Sequence, residues 1–252
     1  MPGPQDTWQE RAYHKKVRAA ARRKEGEENM SYNIAIDGPA GAGKSTIARR
    51  AAKELGYIYV DTGAMYRAVA LYLLRCGISG EDRQAIAARC VGANVSISYQ
   101  DGEQIVLLNG ENVNGQIRSE EVGRMASKSS AVPEVRARLL ELQRTLAAEH
   151  NVIMDGRDIG TCILPDADAK IFLTASTAVR AKRRYEELKA KGMEEDYETV
   201  EEQIVKRDED DRKRAISPLR QAPDAILVDS SDMTIDQVVE TIVTICRQKG
   251  CK

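Results

Sequence analysis

The feature that most constrains this chain is a glycine-rich segment at residues 38–45, Gly-Pro-Ala-Gly-Ala-Gly-Lys-Ser, which lies between an apolar run and a helical pattern. It satisfies the spacing G-x-x-x-x-G-K-[ST], in which the glycines let several backbone N–H groups converge on one anion. The helix that follows adds the positive end of its dipole. The segment therefore predicts a loop that cradles phosphate groups.

Within such a loop, Lys44 reaches the β- and γ-phosphates of a nucleotide, and the Ser45 hydroxyl can hold Mg²⁺. Residues 152–156 predict an apolar strand that carries Asp155. In this class of fold, an acid at that place orients the metal. An Asp after a strand is also a common turn residue. We predict a metal site at Ser45 and Asp155. The predicted nucleotide-binding residues are Gly38, Pro39, Ala40, Gly41, Ala42, Gly43, Lys44, Ser45 and Thr46.

Short apolar runs alternate with helical patterns from residue 31 onward. Five buried strands are predicted at 33–37, 57–60, 151–154, 169–174 and 225–228. Strands that alternate with helices favour an α/β fold, because parallel strands need long crossover connections. We predict a P-loop NTPase-like, five-stranded parallel sheet with helices on both faces.

Two segments depart from this alternation. Between residues 95 and 108 the apolar period becomes two on either side of Asp101 and Gly102, which predicts a β-hairpin. Between 180 and 220 charges of both signs are dense, which favours helices that project from the core. We predict one domain at 31–252, with a small insert at about 61–136 and a helical lid at about 180–216.

The first 30 residues differ from the rest in composition. Residues 11–24 carry seven basic side chains and no acidic one. We predict a basic N-terminal extension at 1–30 that is poorly ordered, and the alternative is a basic arm that touches RNA, acidic lipid or a protein. The formal net charge of −1 argues against a core whose whole surface binds nucleic acid.

The cysteines and the hydropathy indicate the cellular compartment of the chain. Five cysteines are scattered with no pair at CxxC spacing, so neither a disulfide framework nor a zinc site is indicated. No apolar run approaches the roughly 18 residues of a membrane span. No apolar segment marks a secretory signal. We expect a cytoplasmic protein with no membrane partner.

Two predicted strands are followed by arginines, Arg67 and Arg157. Because the carboxyl ends of parallel strands bind ligands, both side chains point toward the crevice that holds the glycine loop. Arg207, Asp211 and Arg214 share one face of a predicted helix. Each arginine alone is more typical of a surface ion pair. Together they predict a second anion site, since guanidinium groups match phosphate oxygens.

The kind of acceptor follows from what accompanies these arginines. The two histidines, His14 and His150, are not placed as a general base, which a hydroxyl acceptor usually needs. A phosphate monoester has a second pKa near 6 and is already an anionic nucleophile at neutral pH. Phosphoryl transfer to a phosphate therefore fits best, although Asp61 and Asp158 leave a carboxylate base open. The remaining alternatives are a kinase of a shikimate-like alcohol and a P-loop binding protein.

From about residue 32 to 248 the chain resembles the bacterial cytidylate kinase family of nucleoside monophosphate kinases. The resemblance is carried by IDGPAGAGKS at 36–45, DTGAMYR at 61–67, NGQIR at 114–118, DGRDIG at 155–160, KIFL at 170–173, RD at 207–208 and RAISPL at 214–219. It implies ATP and Mg²⁺ as cofactors, CMP and dCMP as substrates, CDP or dCDP as products, and an acceptor-binding role for the insert. We expect a monomer.

The resemblance also implies roles for single residues. It assigns the acceptor phosphate to Thr62, Tyr66, Arg67, Arg157 and Arg214. It assigns cytosine to Ser127, Arg136 and Asp158, and ribose to Arg207 and Asp211. Arg180 and Arg183 would contact the donor nucleotide or its phosphates. The residues that we expect to act in catalysis are Lys44, Arg157, Arg183 and Arg214.

Overall fold

The computed structural model describes residues 31–190 and 192–251, so the predicted extension at 1–30 lies outside the described residues. The strands are β1 Asn33–Asp37, β2 Ile58–Asp61, β3 Val95–Gln100, β4 Glu103–Leu108, β5 Glu111–Asn112, β6 Val152–Gly156, β7 Ala169–Thr174 and β8 Ile226–Asp229. The α-helices are α1 Lys44–Leu55, α2 Thr62–Arg75, α3 Arg83–Arg89, α4 Glu120–Ser129, α5 Pro133–Glu149, α6 Thr177–Ala190, α7 Tyr197–Lys213 and α8 Ile235–Gln248.

Five of these strands form one parallel sheet in the order β2-β6-β1-β7-β8. In its register Ile36 of β1 lies beside Asp155 of β6, and Asp155 lies beside Asp61 of β2. The predicted α/β fold class and its five-stranded sheet are confirmed. The strand boundaries shift by one or two residues because the flanking residues continue the parallel ladder.

The sheet is covered by helices on both faces, because successive side chains of a strand point to opposite sides. Ile34 and Ile36 of β1 lie in a buried cluster with α1 and α8, while Ala35 lies in the other cluster with α2 and α5. The helix α8 begins with a capping box in which Thr234 and Gln237 exchange hydrogen bonds. Among residues 31–190 and 192–251, no helix is long and apolar enough to span a bilayer.

The predicted hairpin forms as β3 and β4, antiparallel around Asp101 and Gly102, which both have positive φ. The sequence did not predict β5 or the helices α3 and α4, because β5 is two exposed residues and both helices are short. Val106 and Leu108 of β4 are buried in the same cluster as α2. The insert therefore shares the apolar core of the sheet rather than forming its own.

The charged segment forms two helices, α6 and α7, that pack against each other. Their apolar contact is a small separate cluster of Ala181, Leu188, Val200 and Ile204. This cluster is distinct from the two that cover the sheet, and Arg180 and Arg183 of α6 join the pair to Ala40 and Ser230 by hydrogen bonds. The interpretation of this pair as a lid stays a prediction.

Candidate active site

The glycine loop joins β1 to α1 and surrounds the Lys44 ammonium group. Gly38 has φ +152°, and a Cβ there would lie 1.9 Å from the carbonyl oxygen of Leu173, so only glycine fits. Lys44 is buried, and its Nζ donates to the carbonyl oxygen of Pro39 at 2.6 Å. Burial, followed by the neighbouring Arg157, lowers the pKa of Lys44. This cation is held over the loop in a site that has little water.

The proposed metal ligands lie beside the start of α1. Ser45 Oγ donates to Asp155 Oδ2 at 2.9 Å, and the Tyr59 hydroxyl donates to Asp155 Oδ1 at 3.0 Å. Burial, followed by the charge of Asp61, raises the pKa of Asp155 to about 6. A divalent cation at this place would offset both the cost of burying the Asp155 carboxylate and its repulsion from Asp61.

The donor set also fits the way in which Mg²⁺ is usually held. This ion prefers oxygen ligands and keeps several waters, so one or two carboxylates and the nucleotide phosphates suffice. Among the described residues, no cluster of three or more acidic, histidine or cysteine side chains forms a closed metal cage. Ser45 and Asp155 therefore suit a magnesium ion that shares its coordination with phosphate and water.

Asp37 is a buried carboxylate whose role the sequence analysis missed. It ends β1, and its two oxygens accept the backbone N–H groups of Ile159 and Gly160, each at 2.7 Å. These residues begin a π-helical turn, a rare feature that is frequent at functional sites. Burial raises the pKa of Asp37 to about 6, although the two N–H donors act in the opposite direction. Asp37 thereby ties the glycine loop to the segment that carries Arg157 and Asp158.

Arg67, Arg157, Arg207 and Arg214 form a cluster of guanidinium groups, which we call the arginine cluster. Burial, followed by the charge of Arg157, lowers the pKa of Arg207 to about 10, and Arg67 and Arg214 contribute in the same direction. Burial, Arg118 and Arg157 lower the pKa of Arg67. These groups repel one another in a half-buried pocket. The pocket therefore favours an anion.

Within the described part of the chain, the Nε of Arg207 is buried without a hydrogen-bond partner. A buried unpaired donor costs free energy unless a ligand or water satisfies it. The same repulsion that lowers the pKa of Arg207 would be relieved by a phosphate group. A phosphate group bound by the arginine cluster would therefore also suit Arg207.

Asp211 is the carboxylate of this cluster and is almost completely buried. It accepts from Arg157 Nε at 2.8 Å and from Arg214. Burial acts to raise its pKa, but Arg157 and Arg214 outweigh it, so the pKa of Asp211 is lowered. Asp211 thereby orients these two arginines.

The side chains implied to recognise cytosine lie close to one another. Arg136 forms an ion pair with Asp158, and its guanidinium carbon lies 5.6 Å from the ring centroid of Tyr66. Arg136 also donates to the carbonyl oxygen of Ser130 at 3.4 Å, and the carbonyl of Ser127 accepts the Ser130 hydroxyl. The structure thus brings Arg136 and Asp158 into direct contact, with the Ser127 segment next to them.

The start of α2 completes the crevice. Thr62 Oγ1 donates to the carbonyl oxygen of Asp155 at 2.7 Å. Asp61 caps the helix by accepting the N–H of Ala64, and its second oxygen accepts Arg118 Nη2 at 2.7 Å. Arg118 was part of a motif in the sequence without an assigned role. Its charge, after burial, contributes to the lowered pKa of Arg67. It also interacts electrostatically with Asp155.

The two arginines implied to contact the donor lie on α6. Arg183 donates to the carbonyl oxygen of Ser230 at 2.8 Å and to its hydroxyl at 3.3 Å. Arg180 is buried and donates to the carbonyl oxygen of Ala40 in the glycine loop at 2.9 Å. Both side chains are thus engaged by protein groups near the ends of β7 and β8.

Comparison with known proteins agrees with this arrangement. The sequence profile of one family, described as cytidylate kinase, matches residues 34–248. A cytidylate kinase of Caldicellulosiruptor bescii is 51% identical over 213 residues, which cover 84% of this chain and 94% of that protein. A cytidylate kinase of Carboxydothermus hydrogenoformans is 51% identical over 217 residues, which cover 86% of this chain and 98% of that protein. The glycine loop, the arginine cluster and the Arg136–Asp158 pair lie inside these matched residues, and the chain belongs to the cytidylate kinase family.

Proposed function

We propose that this protein transfers the γ-phosphoryl group of Mg-ATP to CMP or dCMP, giving ADP and CDP or dCDP in pyrimidine nucleotide metabolism. The observation that carries the proposal is the arginine cluster beside the glycine loop. Burial, followed by the charges of neighbouring guanidinium groups, lowers the pKa of Arg67 and Arg207, and both effects favour an anion next to the donor site. Family membership makes that anion the phosphate of a cytidine nucleotide.

On the donor side, the backbone of residues 38–46 binds the β- and γ-phosphates, and Lys44 stabilises their charge. Mg²⁺ bound by Ser45 and Asp155 would supply further charge neutralisation to the same oxygens. The burial of Lys44 strengthens its interaction with an anion, because less water screens it. Arg183 belongs to this side only through the family resemblance.

On the acceptor side, an oxygen of the CMP phosphate attacks the γ-phosphorus. The bond between that phosphorus and the β–γ bridging oxygen breaks, and the electron pair leaves with ADP. The acceptor oxygen is anionic at neutral pH, so no base has to remove a proton. Thr62, Tyr66, Arg67, Arg157 and Arg214 align the acceptor phosphate and offset its charge, which is the main requirement of this chemistry.

Selection of cytosine rests on Arg136 and Asp158. Cytosine presents an amino donor at N4, which suits Asp158 or Ser127, and acceptors at N3 and O2, which suit Arg136. Uracil reverses the donor and acceptor at positions 3 and 4. The ion pair between Arg136 and Asp158 supports this assignment, because it brings both side chains to one place. Arg207 and Asp211 would contact the ribose.

Closure of α6 and α7 would exclude water, because an open site would lose ATP to hydrolysis. We also propose that the protein acts as a monomer in the cytoplasm. Its core has no expected nucleic-acid partner, given the formal net charge of −1. A role for the basic extension in binding RNA would require RNA retention that depends on salt and on residues 1–30.

The decisive experiment is a coupled assay of ADP release with CMP, dCMP, UMP, AMP and shikimate as acceptors. We expect turnover on CMP and dCMP to exceed that on UMP and AMP, with none on shikimate. Greater turnover on AMP than on CMP would reject the cytidine assignment. Turnover on shikimate alone would support the alcohol-kinase alternative, and nucleotide binding without turnover would support a P-loop binding protein.

A further inference from the structure

The strongest feature outside the roles already assigned is a buried ion pair between α6 and α7. Arg180 and Asp208 are 3% and 4% exposed, and Nη2 of the arginine lies 2.6 Å from Oδ2 of the carboxylate. A second contact of 3.1 Å joins Nη1 to Oδ1, so the pair is bidentate. Neither side chain has a role in the proposed reaction.

The guanidinium group of Arg180 also binds the core of the domain. Its Nε donates to the carbonyl oxygen of Ala175 at the end of β7 at 2.9 Å, and its Nη2 donates to Thr177 Oγ1 at 3.2 Å. Its Nη1 donates to the carbonyl oxygen of Ala40 in the glycine loop. All five N–H donors are therefore satisfied by protein, and none is left for a nucleotide.

The glycine loop also packs closely against α6 at Arg180. Gly41 in the glycine loop has φ +74°, and a Cβ there would lie 3.2 Å from the Cβ of Arg180. The loop thus lies directly against the first turn of α6. A shift of the loop changes the position of Arg180 without an intervening flexible segment.

On the other side of the pair, Asp208 lies on the part of α7 that faces the arginine cluster. Arg207 precedes it in the chain, and Asp211 lies one turn later, where it binds Arg157. The position of α7 along this face sets where Arg207 and Asp211 lie. The Arg180–Asp208 pair therefore connects the donor loop to the residues that meet the acceptor.

We propose that Arg180 and Asp208 are positioning residues that fix α7 relative to the glycine loop, so that nucleotide in the loop and arginines on α7 are aligned for transfer. This inference rests on the proposed function. It differs from the direct donor contact that the family resemblance implied for Arg180, because every donor of that side chain is occupied. Loss of the pair would loosen the alignment and admit water to the γ-phosphate.

The test uses Asp208→Asn, Arg180→Lys and the double variant, with Glu209→Gln as the matched control. Glu209 lies next to Asp208 on α7 but pairs with Lys213 on the exposed surface. Measured variables are kcat, the ratio of CDP to ADP formed, and the melting temperature. For Asp208→Asn we expect kcat to fall by about 10²-fold, the cost of a misplacement near 1 Å. The ratio of CDP to ADP should fall, because the loosened site transfers phosphoryl groups to water.

Both single variants should lower kcat, and the loss in the double variant should be clearly smaller than the product of the two single losses, since both single variants remove the contact between Arg180 and Asp208. Independent, multiplying effects would overturn the inference. It would also fail if Asp208→Asn lowered only the melting temperature and left kcat and the product ratio unchanged. Should Asp208→Asn not fold, Thr177→Val removes a single acceptor and should lower the product ratio in the same direction; an unchanged ratio there rejects the proposal.

A second measurement separates this inference from the proposed function. Hydrogen exchange of the amides in α7 is followed with and without a non-hydrolysable ATP analogue, with no acceptor present. We expect the analogue to slow exchange in the wild type and in Glu209→Gln, but not in Asp208→Asn. Persistent slowing in Asp208→Asn would overturn the coupling. If CMP were not an acceptor at all, the proposed function would fail while this measurement still decided the coupling.

Discussion

The donor and acceptor sides of this site are built in different ways. The donor cradle is nine consecutive residues, 38–46, and most of its predicted contacts come from backbone N–H groups. The acceptor side is an assembly of side chains from three separated segments, with Arg67 on α2, Arg157 after β6, and Arg207 and Arg214 at α7 and its end. A backbone cradle is fixed by local glycine geometry, whereas the arginine cluster exists only when α2, the segment after β6 and α7 are brought together.

This difference predicts where each side is vulnerable. Substitutions in the glycine loop should directly weaken binding of the donor phosphates. Substitutions in the arginine cluster should weaken binding of the acceptor more than binding of the donor nucleotide, because the proposed function places these side chains around the acceptor phosphate. Asp37 lies between the two sides, since it ends β1 and binds the N–H groups of Ile159 and Gly160. Four measurements test this division, given from the largest expected effect to the smallest.

The largest effect is expected at Lys44, the one side chain on which the donor cradle depends. Lys44→Met keeps the volume but removes the buried charge near the γ-phosphate. We expect kcat/KM for ATP to fall about 10³-fold, as for loss of a preorganised donor in a water-poor site. The rate of CDP formation measures it. Lys53→Met, an exposed position on the same helix, should have a normal rate, and equal loss in both variants would contradict the assignment.

The second effect is the pH dependence of stability that comes from Asp37, the carboxylate between the donor and acceptor sides. Asp37 has a folded-state pKa of about 6 against an ordinary value of 3.8, so the folded protein binds its proton more tightly. The contribution of Asp37 to stability is therefore greatest at low pH, and it is lost as the pH rises from about 4 through 6. The loss amounts to about 3 kcal/mol by linkage.

Asp37→Asn should remove this dependence. Urea unfolding of the wild type and the variant at pH 4.5 and 7 gives the difference in unfolding free energy at each pH. We expect the unfolding free energy of the wild type, relative to that of Asp37→Asn, to be about 2–3 kcal/mol greater at pH 4.5 than at pH 7. The hydrogen bond that Asn cannot accept lowers stability equally at both pH values, so it cancels. A difference that does not change with pH would show that Asp37 titrates normally.

The third effect concerns one arginine of the cluster. Arg67→Met should raise the KM for CMP by about 10²-fold, because a charged hydrogen bond to phosphate contributes about 1.5–3 kcal/mol. The KM for ATP should stay close to that of the wild type. Arg75→Met provides the control, since Arg75 lies on the same helix but binds Glu111 at the surface. An equal rise in both KM values would mean that the two sides are not separate.

The smallest effect concerns selectivity between bases. Arg136→Met should lower the ratio of kcat/KM for CMP to that for UMP by about 10-fold, within the 1–3 kcal/mol that a directional base contact supplies. The exposed Arg138 on the same helix serves as the matched position, and Arg138→Met should keep the ratio. An unchanged ratio in Arg136→Met would remove Arg136 from base recognition while leaving the rest of the acceptor side intact.

Much of the fold could be predicted because its signals are local. The five buried strands follow from apolar runs, and α1 follows the glycine-rich segment as the helical pattern there predicted. The hairpin followed from Asp101 and Gly102 between alternating runs. The short elements β5, α3 and α4 were missed, since two to ten residues of mixed polarity carry too little periodicity. Their positions depend on packing against α2 and the rest of the insert.

The site divides in the same way. The phosphate loop at 38–45 was predicted from spacing alone, Arg67 and Arg157 from their positions after strands, and Arg207 and Arg214 from a shared helix face. The roles of Asp37, Asp208 and Arg118 were missed, because a single carboxylate or arginine gives no periodic signal. Each is distinguished by what it contacts: two backbone N–H groups for Asp37, Arg180 for Asp208, and Asp61 for Arg118.

The sequence by itself determined the phosphate cradle, the parallel sheet and the family, because these depend on neighbouring residues and on short-range periodicity. Only the tertiary structure decided which carboxylate pairs with which arginine. Those pairs join residues that are distant along the chain, such as Arg157 and Asp211 or Arg180 and Asp208. Their electrostatic strength comes from burial, which exists only once the sheet, the insert and α7 exclude water.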